Sequence, residues 1–586
     1  MKKCCILFFL FWGINLFSQS FYVDGTNGND NNSGTSLVLA WKTIQHAFDN
    51  ATPGSTVFIR GGTYYENVYA NVSGTVGNPI IFRNYQTELV LLDGTGTSQT
   101  DMLYIEDQSN LIIKNITIQN RVVNYATGVV ISCTANSAVS NITLKNLKIT
   151  GINWTTIPNA VPTSNNNSNP LLVYGSGTNQ SNAITNIIVD SCEVYNNITG
   201  FSESIALDGN VDGFTVSNNS VHDNKNIGID MAGNYKVSSN PLVDQARNGN
   251  CIQNICYNNI SSYAASGGIY VDGGRDILIE KNTCCGNGWG IEIGCEENGS
   301  TSNIIVRDNV IYNNREAGLS IGGYTNMTTG QVLNSSILNN TFLKNDYSNS
   351  GLGEIYITKM SNCKIQSNII YTNAQNILMY KDNIAPSNNN SINYNCWYTP
   401  NNNSNGITIS WNTSTYNSFA TYQTQTGMDA NSIYSDPGLT NSTVSAPDFH
   451  ILQNNPCIDS GDPNYAIILT QTDYYGNPRI SGAGVDIGVH EFSSPNGILN
   501  DENEIFIQTY PNPFHQSIEF VMSAPESGIK NAELRITDVF GKVVIKETVP
   551  DSEKCTIQRG HLPAGMYFFK IGRSGNDLCS GKIIIQ

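Results

Sequence analysis

Ser-Ile-Ala-Leu-Asp-Gly (204–209), Gly-Ile-Asp-Met-Ala-Gly (228–233), Gly-Ile-Tyr-Val-Asp-Gly (268–273) and Gly-Ile-Glu-Ile-Gly-Cys (290–295) are four copies of one phrase. In each copy apolar residues alternate with variable ones, and a period of two is the mark of a β-strand. Its return every few tens of residues predicts a solenoid whose coils stack neighbour on neighbour. The residues between the apolar ones then lie in rows on one outer face. Aligned, the third positions are Ala206, Asp230, Tyr270, Glu292, Ser320 and Tyr356. The fifth positions are Asp208, Ala232, Asp272, Gly294, Gly322 and Thr358.

The rest of the composition agrees with an all-β chain. Of 586 residues 39% are hydrophobic, enough for a large core, whereas only 13% are charged. Asn, Gly, Ser and Thr are abundant, as many tight turns require. A formal net charge of -17 excludes a nucleic-acid partner, which would need clustered Lys and Arg. Lys2 and Lys3, the apolar run Cys4–Trp12 and the small residues Ser18 and Ser20 read as a signal peptide over residues 1–20. No later run of some twenty apolar residues offers a transmembrane segment, so an exported mature protein is expected. The fourteen cysteines form no CxxC pair. Packing inside the coils is their expected role, with one or two disulfides left open.

Trp41, Ile44 and Phe48 share one helical face, which predicts a short helix covering the open first coil. Pro53-Gly54, Val57-Phe58-Ile59, Gly61-Gly62-Thr63-Tyr64 and Asn78-Pro79-Ile80-Ile81-Phe82 follow. At these residues the sequence resembles the first coils of the right-handed parallel β-helix superfamily of pectate-lyase-like proteins. Asn115, Asn146, Asn219, Asn259, Asn282, Asn309, Asn340 and Asn368 each precede an apolar pair, and a stack of them at one internal turn is expected. Residues 154–181 and 234–250 read as loops leaving the solenoid. The phrasing fades after Tyr380. Residues 436–492 look like the closing segment that follows such helices, with His450 and His490 as packing residues, so the β-helix spans 21–492.

A polar linker, 493–503, precedes a stretch of different character, 504–586. Tyr510-Pro511-Asn512-Pro513-Phe514, Asp538-Val539-Phe540-Gly541-Lys542, Leu562-Pro563-Ala564-Gly565-Met566-Tyr567 and the terminal Gly581–Gln586 resemble the C-terminal sorting domain of type IX secretion cargo. That resemblance implies the type IX machinery as a partner, passage through an outer membrane, and release or surface attachment. Alternation in 533–544 and 565–571 independently predicts a small β-sandwich.

Chemistry is expected on the outer rows. Asp208, Asp230, Asp272 and Glu292 zigzag over successive coils, with neighbouring Cα atoms ~8 Å apart from the coil and residue spacings of a parallel sheet. The expected catalytic residues are Asp230, Glu292 and Asp272, with Lys225 or Arg247 as a base. Tyr235, Tyr270, Trp289 and Tyr324 offer rings to a sugar. Asp208, Asp230, Asp272 and Glu296 are the expected ligands of Ca²⁺, and Gly294 and Gly322 leave floor space for a ligand. One scheme is a polysaccharide lyase, in which calcium neutralises a uronate carboxylate and a base removes the adjacent proton. A second is an inverting hydrolase using two of the acids. A third is a non-catalytic glycan-binding or adhesive surface protein. The Trp-Ile-Asp-His segment of common pectate lyases and the Gly-His-Gly triplet of polygalacturonases do not occur.

Overall fold

A computed structural model describes residues 19–323, 330–382, 387–465 and 471–493, and 506–585 apart from 511, 513, 524–531, 539–540, 550–553 and 574–575. The predicted leader, save Gln19 and Ser20, the linker, save Ser493, and Tyr324 lie outside the described residues. Ser20 itself starts the first strand, pairing with Thr56, so the strand begins inside the range expected for the leader. The chain divides into two compact units, residues 1–492 and 493–586.

Among the described residues the first unit is built from three long sheets wound as a right-handed parallel β-helix. The apolar residues of the repeated phrase point inward because alternate residues of a strand face opposite sides. Ile205, Ile229, Ile269, Ile291, Leu319 and Ile355 pair in successive coils, and all are fully buried. The strands that carry them are β1 (Ile205–Gly209), β2 (Ile229–Met231), β3 (Gly267–Asp272), β4 (Trp289–Gly294), β5 (Leu319–Gly322) and β6 (Ile355–Ile357). Their outer residues form the predicted row, Ala206 beside Asp230, then Tyr270, Glu292, Ser320 and Tyr356.

The asparagines form more than the single stack expected. Asn219, Asn254, Asn282, Asn309, Asn340, Asn368 and Asn395 make one buried ladder, each amide donating to the Oδ1 of the next. Asn197, Asn224, Asn259, Asn287, Asn314 and Asn345 make a second. Asn115 and Asn146 belong to a third, shorter set that begins at Asn84. The two long ladders flank three-residue strands such as Thr283–Cys285, between Asn282 and Asn287, because the backbone bends out of the sheet at both ends of that short strand. At nearly every rung the backbone N–H donates to the same Oδ1, and the amide also reaches a carbonyl of the preceding coil, as Asn282 reaches Cys251 at 2.9 Å. Both long ladders end on a buried carboxylate. Asn345 donates its backbone N–H to Glu354 at 2.9 Å and its amide at 2.6 Å. Asn395 donates to Asp429 at 3.3 Å.

Helix α1 (Ile44–Asn50) covers the first coil as predicted, capped by the Thr43 hydroxyl and anchored by Phe48, whose ring stacks on Phe82 at 3.7 Å. Helix α2 (Phe419–Thr426) covers the far end with Phe419 and Tyr422. The coils run past Tyr380, since Tyr380 pairs with Ser410 and Trp397 with Tyr434. Residues 436–492 lie along a flank and not across the end. There Phe449 and Val489 cover Val310, Leu343, Tyr371 and Tyr398, apolar residues that the third sheet turns outward. The buried Arg479 ties this segment to Asp308 at 3.3 Å. His490 is a packing residue whose Nδ1 accepts from the Ile451 N–H, and burial pushes its imidazole down to about 4. The supposed loop 154–181 contains a core strand, Ser168–Gly175, and 234–250 runs into another, Arg247–Ile252. Eleven of the cysteines are free, and all of these but Cys285 are buried.

The second unit holds a three-stranded and a four-stranded antiparallel sheet over a shared core of Phe520, Leu534, Ile536, Phe569 and Ile571. Phe520 meets Phe569 edge to face at 5.0 Å. This is the small β-sandwich expected from the alternation.

Two substitutions test the architecture by chemical denaturation. Ile269→Asp places an unpaired charge in the stack and is expected to cost at least ~3 kcal/mol. Asn282→Ala strands its partners on both neighbouring coils and is expected to cost ~2 kcal/mol or more, without loss of secondary structure.

Candidate active site

Five carboxylic acids, from three strands and two turns, open onto one cavity of ≈ 420 Å³. Asp208 and Asp230 come from β1 and β2, Asp272 from the end of β3, Glu203 from the turn before β1 and Glu296 from the turn after β4. Phe201, Tyr235, Tyr263 and Tyr270 complete its walls. Among the described residues no Lys, Arg or His lines it. Among the described residues none of the five acids takes part in an ion pair.

Their hydrogen bonds set them apart. Asp272, 3% exposed, accepts from the Tyr235 hydroxyl through Oδ2 and from the Glu296 backbone N–H through Oδ1 at 2.8 Å. Asp230 is 5% exposed, and its Oδ1 has no hydrogen-bond partner. Burial pushes all five carboxyls up, and their mutual repulsion adds to it. Asp272 rises least, to about 6, because bonds from Tyr235, Glu296 and Tyr270 favour its charged form. Asp208 and Glu296 rise to about 7. Glu203 and Asp230 stand well above the usual carboxylate range, Glu203 chiefly through burial and Asp208, Asp230 chiefly through burial and Glu203.

Of the residues expected from sequence, Asp208, Asp230, Asp272, Glu296, Tyr235 and Tyr270 meet at this cavity. Glu292 is one coil further on, with Tyr270 standing between it and Asp230 in the row, and does not line the cavity. Arg247 is not a base here. It lies in the first sheet beside Asp212, 2% exposed, with its guanidinium held by Asp212 at 3.1 Å, by Asn210 and by two carbonyls. Lys225 is half-buried in the turn before β2 and does not line the cavity. Trp289 packs instead against Ala317 and Tyr356, its ring 5.6 Å from that of Tyr356. The glycines do not leave a floor: a Cβ at Gly294 would meet the Gly322 carbonyl at 2.5 Å and the Tyr270 hydroxyl at 3.1 Å.

The calcium expectation does not fit this arrangement. Among the described residues no three His, Cys, Asp or Glu side chains form a set that could hold a metal ion. Asp208, Asp230, Asp272 and Glu296 share a cavity without forming such a set. Glu203, Phe201 and Tyr263 were not foreseen. Glu203 sits one residue before the repeated phrase, and Tyr263 hangs from a turn by its hydroxyl, bonded to the Gly200 carbonyl at 2.7 Å.

Residues 508–586 match the family described as Secretion system C-terminal sorting domain. The protein is therefore exported by type IX secretion to the cell surface or beyond. Over 427 residues the chain is 36% identical to the uncharacterized protein YwoF of Bacillus subtilis (strain 168), an alignment covering 70% of this chain and 86% of that one. The chain belongs to the YwoF family. A shorter match, 41% identical over 70 residues, is to pectate lyase PEL9 of Emericella nidulans and covers 12% of this YwoF relative and 17% of PEL9. Among solved structures, pectate lyase Pel9A superposes with a TM-score of 0.41 and 14% identity, over 81% of this chain and 97% of that one. Among the described residues no helix is long and apolar enough to cross a membrane.

The repulsion in the cavity has a pH signature. Asp208 titrates near 7 in the folded protein and near its ordinary value, 3.8, when unfolded. A raised carboxyl stabilises the fold fully below the unfolded value, and that contribution is lost as pH rises through the folded one. Asp208→Asn removes this loss. By scanning calorimetry the variant is expected to melt above the wild type at about pH 8 and level with it at about pH 4.

Proposed function

We propose that this exported protein is a carbohydrate-active enzyme that hydrolyses glycosidic bonds in the five-acid cavity. Asp272 is the carboxylate base, and Asp230 or Glu203 is the proton donor. The reading is carried by Asp230: a buried carboxyl on a cavity wall, with an unpartnered oxygen, pushed well above the usual carboxylate range by burial and by Glu203. Acid–base catalysis needs two groups whose environments push their pKa values apart. Asp272 receives three hydrogen bonds that favour charge, whereas Asp230 is surrounded by burial and like charge. Asp230 and Asp272 are offset by one coil and two residues, so their Cα atoms are ~8 Å apart. A carboxyl separation of ~6.5–9.5 Å would leave room for the water of an inverting mechanism.

In such a step Asp230 or Glu203 would give its proton to the leaving glycosidic oxygen. Asp272 would take one from the attacking water. Tyr235, bonded to Asp272, orients that carboxylate, and the rings of Phe201, Tyr263 and Tyr270 shape the sugar's position.

The short match to pectate lyase PEL9 favours a second reading, a uronate-cleaving lyase with Lys225 as base. It requires a charge-neutralising cation, and calcium belongs to that reading alone. The purified protein, assayed on neutral, amino and uronate polysaccharides, separates the two. Hydrolysis yields new reducing ends without absorbance in the unsaturated-uronate band and persists with chelator. Elimination yields that absorbance and stops with chelator.

On any glycan the wild type cleaves, Asp230→Asn is expected to lose at least ~100-fold in kcat/KM, with folding intact. The acidic limb of the wild-type pH profile is expected near about 6, as Asp272 ionises. Full activity of both Asp230→Asn and Glu203→Gln would move the catalytic centre elsewhere, and binding without cleavage would leave a glycan-binding surface protein.

A further inference from the structure

Two pairs of cysteines lie side by side in the larger unit, Cys256 with Cys284 and Cys396 with Cys457. All four are fully buried thiols. The protein is exported, and the compartments beyond the cytoplasm oxidise adjacent thiols to disulfides.

Backbone geometry separates the two pairs. Cys256 and Cys284 stand directly opposite each other on neighbouring parallel strands, Ile255–Tyr257 and Thr283–Cys285. Rungs at both ends of these strands, Asn254 to Asn282 and Asn259 to Asn287, hold them at sheet spacing. Parallel strands run ~4.8 Å apart, and residues directly opposite point their side chains the same way, so their Cβ atoms stay about that far apart. A disulfide draws its Cβ atoms to ~3.8 Å. Closing this pair would therefore pull against two rungs.

Cys396 carries no such restraint toward Cys457. Its ladder neighbours are Ile369 and Ile433, whereas Cys457 belongs to the closing segment 436–492. Trp397, the next residue of the strand, points into the core, so Cys396 points out of the third sheet toward that segment. There it joins a buried cluster with Ile369, Ile451, Cys457 and Ile487. Cys457 is placed by its own backbone, whose N–H donates to Asn455 at 2.9 Å and whose carbonyl accepts from the Ile487 N–H at 2.9 Å. We propose that Cys396 and Cys457 form a disulfide in the exported protein, fastening the closing segment to the outer face of the third sheet, while Cys256 and Cys284 remain thiols. The fastened segment covers Val310, Leu343, Tyr371 and Tyr398, an apolar face that its release would expose. Because the two cysteines are far apart in the chain, the bond closes a long loop, and such loops restrict the unfolded chain most.

The bond forms by thiol–disulfide exchange. The pair gives up two protons and two electrons, and both electrons pass to the disulfide of an oxidising protein or small molecule, which leaves as a dithiol. Exchange needs a thiolate, and burial pushes the Cys457 thiol well above its ordinary range, so the bond is made before the segment docks.

The full chain, isolated after export from a type IX-secreting host, is denatured in N-ethylmaleimide without reductant, digested and read by mass spectrometry. Cys396 and Cys457 are expected in one joined peptide that reductant separates, and Cys256 and Cys284 as maleimide adducts. Cys396 or Cys457 alkylated in most of the unreduced protein, either of them joined to a different cysteine, or Cys256 joined to Cys284 overturns the inference. The fastening is read by melting: the wild type is expected to melt at least ~3 °C lower after reduction. Cys396→Ala and Cys457→Ala are each expected to melt alike with and without reductant. If one variant does not fold, the other carries that comparison. A wild type indifferent to reductant, or a variant that keeps the response, overturns the inference as well.

Discussion

Everything in the larger unit depends on how a chain that must turn three times per coil satisfies the amides it bends out of the sheets. The asparagine ladders do this. Each rung joins a backbone N–H and a side-chain amide to one Oδ1 of the next coil, and returns a bond to a carbonyl of the coil before. Buried backbone groups must be paired, and a turn without such a rung would leave several orphans inside the protein. Because every rung needs its neighbours at hydrogen-bond distance, the ladders hold successive coils in one register. That register, in turn, lines up the outer rows.

A rigid register permits an arrangement that a looser scaffold would relax. Five acids around one cavity repel one another, and a flexible loop would swing them into water. Here Asp208, Asp230 and Asp272 are on strands whose alternate residues are locked into the core stack. Burial and this repulsion are expressed as raised pKa values and not as movement. Asp272 escapes most of it through its bonds to Tyr235 and Glu296, and this difference between neighbouring acids gives the cavity its chemical polarity. The stability held in coils of Ile, Leu and Val offsets the cost.

The register was legible in the sequence because Ile205, Ile229, Ile269 and Ile291 recur with variable residues between them, and the β-helix forces that alternation. The acids of the two rows were legible for the same reason. Arg247 misleads because closeness in sequence to Asp230 means little when a solenoid turns it onto another sheet, where Asp212 claims it. Glu203 and Tyr263 were hidden because turns have no period; the fold brings them in from outside the repeated phrase. The strand Ser168–Gly175 was concealed by Pro170 and by the polar run before it. The second ladder was present as pairs of Asn five residues apart, such as Asn282 with Asn287 and Asn309 with Asn314, one at each end of a three-residue strand.

The ladders also have a direction. In the two long ladders each amide donates toward the C-terminal coil and accepts from the N-terminal one, so the side-chain dipoles add head to tail and polarise one another. Such a column ends with donors unspent. Glu354 receives them on both oxygens and Asp429 on Oδ1, and a carboxylate has no amide to hand on to another coil. Where each ladder stops is thereby written in side-chain chemistry: an asparagine at the rung says continue, and a carboxylate says stop. Lengthening the solenoid would take more than inserting another repeat at its end, because the terminal acid would first have to become an amide.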